Sequence, residues 1–204
     1  MTSLMKLFHS PFSPFVRKVM VFAMETGLDA RIERVTVNPW EPHAGLGEAN
    51  PLGKVPALIT DDGLNLYDSA VICEYLDGLH NGPDLIPHAG PERLKALRLE
   101  ALADGIAEAA VLRRMESGRP AVLQSEDWVA LQVRTVERAL DALEQEVESW
   151  GQLFGIGQIS VACTLGYLDF RFSHEPWRTS RPGLAAWHAR IAQRPAMVAT
   201  EPKG

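Results

Sequence analysis

Hydrophobic and polar positions follow two different periods in the first eighty residues. The short apolar run "LMKLF" at 4–8 predicts a strand, and "SPFVRKVMVFAMETGL" at 13–28 then places apolar residues three and four positions apart, which is typical of a helix. "ARIERVTV" at 30–37 alternates and predicts a second strand. A strand, a helix and a strand in this order predict a parallel pair joined by a right-handed crossover.

The next segments predict the rest of a small mixed sheet. "NPWEPHAGLGEANPLGK" at 38–54 is rich in Pro and Gly, so we expect irregular structure with a single helical turn. Residues 55–68 predict a hairpin that turns at "DDG", and "SAVICEYLDGLH" at 69–80 predicts a helix with Ser69 near its start. We therefore predict a four-stranded mixed sheet with helices on both faces, the thioredoxin-like arrangement.

The pattern changes beyond residue 80. "NGPDLIPHAGP" at 81–91 holds three prolines and two glycines, a composition typical of a linker. Only helical patterns follow, at 92–117, 125–150, 156–172 and 182–193. We predict an α/β thioredoxin-like domain at 1–80, a linker at 81–90 and an all-helical domain at 91–204.

The helix predicted at 156–172 is more apolar than the others, so we expect it to be buried at the centre of the helical domain. Gly155 is its predicted N-cap, and the Gln158 side chain is placed to reach back to the backbone N–H of the cap. Because glycine has no side chain, only this half of a capping box can form.

Composition and charge narrow the classes of function. The chain is 46% hydrophobic and 23% charged, with a net charge of −6 and a pI of about 5.5, which argues against binding to nucleic acid or an acidic membrane. It has no apolar run long enough for a membrane span and no signal-peptide pattern, so we expect a cytoplasmic protein. Cys73 and Cys163 lie in apolar helical patterns and are expected to be buried, reduced thiols. No Cys/His spacing predicts a metal site.

Several local motifs now point to one family. "NPLGKVPAL" at 50–58, "LYDSAVICEYL" at 66–76, "SPFVRKVMVFAMETGL" at 13–28 and "FGIGQISVACTLGYLDFRF" at 154–172 occur in this order. Over essentially its whole length the chain resembles a cytosolic glutathione S-transferase, in particular bacterial members with "SPFVRKV". The fourth segment resembles the family's capping-box helix, although that box usually holds Ser or Thr with Asp.

The resemblance implies a binding site for glutathione, an anionic tripeptide. Pro56 corresponds to the family's cis-proline, and Val55 before it would pair with the peptide backbone of glutathione as a short antiparallel strand. Asp68 and Ser69 would bind the γ-glutamyl ammonium and carboxylate, and Lys54 would neutralise the glycyl carboxylate. From the residues alone, Asp68 and Ser69 could equally be plain helix caps, and Lys54 a solvated loop lysine.

The resemblance places the catalytic position at Ser13, just before the first predicted helix. Its hydroxyl and the first N–H groups of the helix would stabilise the glutathione thiolate. Ser10 is a rival hydroxyl, and Ser13 could also serve only as an N-cap. A serine here, rather than a cysteine, favours conjugation, isomerisation or peroxide reduction with the thiolate of glutathione itself.

Other residues are candidates for the pocket of the second substrate. Phe12, Phe15 and Trp40 are apolar candidates, Arg113 and Arg114 are cationic ones, and His43 is a weak candidate for a general acid. Asp104 could reach the glutathione of a partner subunit in a homodimer.

We therefore expect a cytoplasmic protein, and the resemblance implies a homodimeric glutathione transferase that acts in detoxification. Glutathione would be the co-substrate and a small apolar electrophile the second substrate, with no metal. A non-catalytic binding or regulatory module with the same fold is the alternative.

Overall fold

A computed structural model of the chain describes residues 4–202, apart from the side chain of Ala44. The N-terminal part contains strands β1 (Met5–His9), β2 (Ile32–Thr36), β3 (Ala57–Ile59) and β4 (Asn65–Leu66), and helices α1 (Pro14–Glu25), α2 (Ala44–Ala49) and α3 (Ser69–Asp77). The sheet order is β2-β1-β3-β4, with β1 and β2 parallel and the other pairs antiparallel. This confirms the predicted thioredoxin-like sheet, including its hairpin.

Apolar residues, which alternate between the two faces along each strand, hold the sheet together. Met5 and Leu7 on β1 are fully buried, as are Val19 and Phe22 on α1. Alternate residues of a strand share a face, so β1 presents Met5 and Leu7 together to one packing layer. The packing fixes the end of β1 relative to the start of α1.

The C-terminal part is entirely helical. It contains α4 (Gly90–Ser117), α5 (Glu126–Glu146), α6 (Ile156–Arg171), α7 (Pro182–Ile191) and α8 (Pro195–Ala199). Every residue of α6 from 156 to 165 is buried, which confirms the predicted central helix. Within residues 4–202, none of the helices has the length and apolar character that a membrane crossing requires.

The first turn of α6 explains why a glycine caps it. The Gly155 N–H donates to Oε1 of Gln158 at 3.2 Å, as predicted, and the Ile156 N–H donates to the carbonyl of Leu85 at 3.0 Å. A Cβ atom at residue 155 would lie 2.6 Å from that same carbonyl oxygen. A serine or threonine cap therefore does not fit, because the capping side chain would occupy the place of the Leu85 carbonyl.

A buried lysine joins the two parts of the molecule. Lys18 of α1 is 1% exposed, and its Nζ lies 2.9 Å from Oε1 of Glu100 and 2.7 Å from Oδ2 of Asp104, both on α4. Burial lowers the pKa of Lys18, but the two carboxylates outweigh burial and the net pKa is raised. Asp104, expected to reach a partner subunit, is thus paired with a cation of its own chain.

Candidate active site

The chain passes from β1 into α1 through residues 10–13, and this passage positions Ser13. Ser13 is the N-cap of α1, and its Oγ accepts a hydrogen bond from the Val16 N–H at 3.3 Å. Pro14 occupies the first helical position, where its missing N–H costs nothing. Because Oγ is the acceptor in this contact, the Ser13 hydroxyl hydrogen remains available for donation to a ligand.

Ser10, the rival hydroxyl, has a different environment. Ser10 is buried, and its carbonyl accepts from the Ser13 N–H at 3.1 Å. Ser13 is half-buried and lines a cavity whose walls are Pro11, Phe12, Ser13, Pro14, Arg17, Cys163, Tyr167 and Pro202. The geometry thus brings Ser13, and not Ser10, to the cavity between the sheet domain and α6.

The predicted strand for glutathione lies beside the end of β1. The Val55–Pro56 peptide bond is cis, as predicted, and Ala57 directly after it pairs with Phe8 of β1. Within residues 4–202, no backbone hydrogen bond uses the N–H or C=O of Val55. Lys54 is exposed, and its own carbonyl accepts from the Asn50 side chain at 2.8 Å.

The predicted carboxylate site lies at the start of α3. Asp68 is its N-cap, and Oδ1 of Asp68 accepts from the Ala70 N–H at 3.1 Å, so the plain capping role is present. Ser69 is the first helical residue and is buried, whereas Asp68 is exposed. The second carboxylate oxygen of Asp68 makes no hydrogen bond within the described residues, which leaves it free for a cationic ligand group.

The aromatic pocket candidates fall into two groups. Phe12 is 43% exposed, lines the cavity beside Ser13 and stacks on Phe170, with ring centroids 6.0 Å apart and planes 3° apart. Phe15 is half-buried on α1, and Trp40 is 65% exposed on the loop before α2. His43 caps α2, where its Nδ1 accepts from the Leu46 N–H at 3.2 Å. Phe15, Trp40 and His43 do not line the cavity of Ser13.

The structure does not bring Arg113 to this cavity. Arg113 is buried, donates to Glu175 at 3.1 and 2.5 Å, and lies 4.2 Å from the ring centroid of Phe172. It lines a separate cavity inside the helical domain. Successive residues of a helix are about 100° apart, so Arg114, the next residue, is exposed on another side of α4.

Sequence reasoning missed the contribution of α6 to the site. Tyr167 lines the cavity, and Phe170 and Arg171 lie next to Phe12. Burial raises the pKa of Tyr167, while the positive charges of Arg171 and Arg114 oppose that rise. The available signal was the spacing of Tyr167 and Arg171, which are four residues apart and therefore on one face of the helix.

Cys73 and Cys163 are free and buried, as predicted. Burial raises the pKa of Cys163 to about 11, and it raises the pKa of Cys73 well above the usual value. A thiol with a raised pKa is a poor nucleophile at neutral pH, so neither cysteine is a candidate catalytic group although Cys163 lines the cavity.

A thioredoxin-like domain with a cis-proline and a serine that caps its first helix, followed by an all-helical domain, is the architecture of glutathione-binding transferases. Comparison with known proteins agrees. The family descriptions "Glutathione S-transferase, N-terminal domain" and "Glutathione S-transferase, C-terminal domain" match residues 12–79 and 126–190. The "Uncharacterized GST-like protein YibF" of Escherichia coli strain K12 is 37% identical over 97% of this chain and 98% of its own. The chain belongs to the glutathione S-transferase family.

Two solved structures are similar over nearly the whole chain. A glutathione transferase family member from Pseudomonas fluorescens Pf-5 with bound glutathione is 48% identical, with a TM-score of 0.95 over 98% of this chain and 100% of the other. A structure from the same organism with bound S-(propanoic acid)-glutathione is 47% identical, with a TM-score of 0.89 and the same coverage.

Proposed function

We propose that the protein is a glutathione transferase that binds glutathione between Val55 and Asp68 and holds its thiolate at Ser13. The observation that carries the proposal is the junction of β1 and α1, where a capping serine with a free hydroxyl hydrogen lines a cavity. Glutathione bound to a relative that is 48% identical supports the choice of ligand.

The backbone of glutathione would be recognised by strand pairing. The N–H and C=O of Val55 have no backbone partner in the described part of the chain and can form one short antiparallel ladder with an extended peptide. The unused oxygen of Asp68 suits the γ-glutamyl ammonium, and Ser69 with the start of α3 suits the adjacent carboxylate. The exposed ammonium of Lys54 suits the glycyl carboxylate.

The chemical role of Ser13 would be to stabilise a sulfur anion. A free thiol has a pKa near 8.5, and lowering it by two units requires about 2.7 kcal/mol of preferential stabilisation of the thiolate. A hydrogen bond from Oγ of Ser13 and the positive end of α1 act together on the same atom. The thiolate then attacks an electrophilic carbon, forming a C–S bond as a leaving group or a π electron pair departs.

The conjugation reaction is favoured over a non-catalytic role by one observation. The ligand in the 47% identical relative is a glutathione thioether, the kind of molecule that a conjugation produces. The corresponding atoms here would lie beside Ser13, at the cavity that has Phe12 and Tyr167 on its walls. We also propose that the protein acts in detoxification as a cytoplasmic homodimer, as the family resemblance implies; light scattering measures its mass against that of one 22.5 kDa chain.

Replacing Ser13 with alanine tests the proposal. Ser13→Ala should lower kcat/KM for 1-chloro-2,4-dinitrobenzene by about 100-fold, equal to about 2.7 kcal/mol, and change the Kd for glutathione by less than about threefold. The apparent pKa of bound glutathione, followed by thiolate absorbance, should rise towards that of the free thiol.

Ser10→Ala is the matched control, since Ser10 also precedes a proline but does not line the cavity. It should leave both the rate and the thiolate pKa close to wild type. The assignment of Ser13 is wrong if Ser10→Ala alone reproduces the loss. The proposal as a whole is wrong if the folded wild-type protein does not bind glutathione.

A further inference from the structure

A guanidinium group lies against the aromatic wall of the Ser13 cavity. Arg171, the last residue of α6, places its guanidinium carbon 4.3 Å from the ring centroid of Phe170 and 5.1 Å from that of Phe12. Phe12 is itself a wall of the cavity. The cation therefore lies against two stacked rings, one of which forms part of the wall of the cavity beside Ser13.

Arg171 has no anionic partner among residues 4–202. Its neighbours in sequence and space are paired, Arg178 with Asp169 and Arg113 with Glu175, but no carboxylate in this part of the chain pairs with Arg171 or Arg114. The Nε atom of Arg171 is also buried without a hydrogen-bond acceptor. A buried donor without an acceptor costs about 1–3 kcal/mol, so an acceptor for this Nε would be stabilising. Hydrogen bonding from the same guanidinium to the Tyr167 hydroxyl opposes the rise in the pKa of Tyr167.

Tyr167 extends the same polar surface into the cavity. It lies one helical turn before Arg171, is 6% exposed and lines the cavity beside Ser13. Its raised pKa keeps the hydroxyl protonated at neutral pH, so it can donate a hydrogen bond.

The arginine that lines the cavity, Arg17, already has hydrogen-bond partners. Arg17 donates from Nε to Oγ1 of Thr200 at 3.3 Å and from Nη2 to the carbonyl of Met197 at 3.0 Å. Among the described residues, the walls of the cavity contain no Asp or Glu. Asp169, near the same end of α6, is already paired with Arg178, so it does not neutralise Arg171.

We propose that Arg171, assisted by Tyr167, forms a carboxylate-binding subsite, and that the second substrate is a small electrophile that carries a carboxylate. The inference rests on the proposed function and replaces the purely apolar electrophile expected from the sequence. The planar fork of a guanidinium matches the two oxygens of a carboxylate, which fixes the orientation of the substrate as well as its charge.

The reaction of an α,β-unsaturated acid illustrates the geometry. The glutathione thiolate forms a C–S bond to the β-carbon, the π electron pair moves to the α-carbon, and that carbon takes a proton from water. No oxidant or reductant is needed. The carboxylate at Arg171 would hold the β-carbon facing the sulfur at Ser13, an orientation that lowers the barrier by positioning.

Two glutathione thioethers of equal chain length test the subsite by binding. The Kd values of S-(2-carboxyethyl)glutathione and S-propylglutathione are measured calorimetrically for the wild type, Arg171→Gln and Arg171→Lys. The wild type should prefer the carboxylate by about tenfold, because a charge-assisted hydrogen bond contributes about 1.5–3 kcal/mol, part of which is lost to desolvation. Arg171→Gln should abolish the preference, and Arg171→Lys should retain part of it.

Arg190→Gln is the matched control, since Arg190 is an exposed arginine on α7 and, unlike Arg171, does not lie over the Phe12 ring. It should keep the tenfold preference, and all variants should bind glutathione with unchanged Kd, which shows that they are folded. The inference is overturned if the wild type binds both thioethers equally, or if Arg171→Gln keeps the preference. In either case intact glutathione binding leaves the proposed function standing, whereas loss of glutathione binding in the wild type overturns both.

Discussion

At the scale of single residues, one side chain can cap a helix and still be available to bind a ligand. Oγ of Ser13 accepts a hydrogen bond from the first turn of α1 and still has its own hydrogen to donate. Asp68 divides its two oxygens in the same way, with one capping α3 and the other unused. Capping and ligand binding are therefore not competing explanations at either residue.

A buried histidine sets how the protein responds to acid. His188 is 5% exposed, and Nδ1 lies 3.1 Å from a guanidinium nitrogen of Arg178. Burial lowers the pKa of His188 from 6.5 to about 4, against the opposing charge of Asp169. Between these two pH values the unfolded chain binds a proton that the folded chain does not, so stability falls as the pH falls through this window.

When the pH is lowered from 6.5 to 4, the free energy of unfolding should fall by about 1–3 kcal/mol less in His188→Gln than in the wild type. Urea unfolding at a series of pH values measures this slope. His88→Gln, at a histidine whose side chain is 85% exposed, is the control and should follow the wild type. Equal slopes for His188→Gln and the wild type would show that His188 does not titrate in this window.

At the scale of elements, the central helix depends on close backbone contact. Gly157 lies where α6 meets α4, and a Cβ atom there would be 2.9 Å from two carbons of Leu99 and 3.0 Å from the carbonyl oxygen of Ala96. Contacts this short require the helices to move apart. Gly157 is therefore needed for close packing. The hydrophobic pattern of the helix alone does not distinguish such a glycine from one that only weakens the helix.

Gly157→Ala should lower the free energy of unfolding by about 1–3 kcal/mol through overpacking, as measured by urea unfolding. Gly105→Ala is the matched control, because Gly105 lies within α4 and a Cβ atom there meets nothing within 4 Å. This control should be neutral or stabilise by up to about 1 kcal/mol, since alanine favours the helix. Destabilisation by both variants to the same extent would contradict the packing argument.

At the scale of the whole molecule, one buried charge cluster connects the sheet domain to the helical domain. Lys18 contributes one cation to two carboxylates on α4, and all three groups are removed from bulk water to different degrees. Burial raises the pKa values of Glu100 and Asp104, and Lys18 opposes the rise in both. Removing the cation would leave two carboxylates without compensation at the domain boundary.

Lys18→Met should therefore destabilise the folded chain by about 3–5 kcal/mol in chemical unfolding at pH 7. Lys95→Met, at a lysine whose side chain is 69% exposed and paired with Glu92, is the control and should change stability by less than about 1 kcal/mol. Adding Glu100→Gln to Lys18→Met should restore part of the loss. If Lys18→Met is as stable as the control, the cluster does not hold the domains together.

The sequence by itself determined the order of elements, because hydrophobic period, caps and turn residues act over a few positions. It located the hairpin, the cap at Ser13 and the buried helix α6, whereas the cis bond before Pro56 was expected from the family resemblance. The roles of Ser13, Lys54, Val55, Asp68 and Ser69 in binding and catalysis stay predictions for the experiments above.

Only the tertiary structure decided which distant side chains meet. Arg113 faces Glu175 inside the helical domain, whereas Tyr167, more than 150 positions after Ser13, lines its cavity, and Arg171 lies against the Phe12 ring in the cavity wall. The side on which a helical residue emerges depends on how the helix is rotated against its neighbours, and that rotation is set by packing such as the contact of Gly157 with Leu99. Local sequence determines where a helix forms, but not how that helix is rotated against its neighbours.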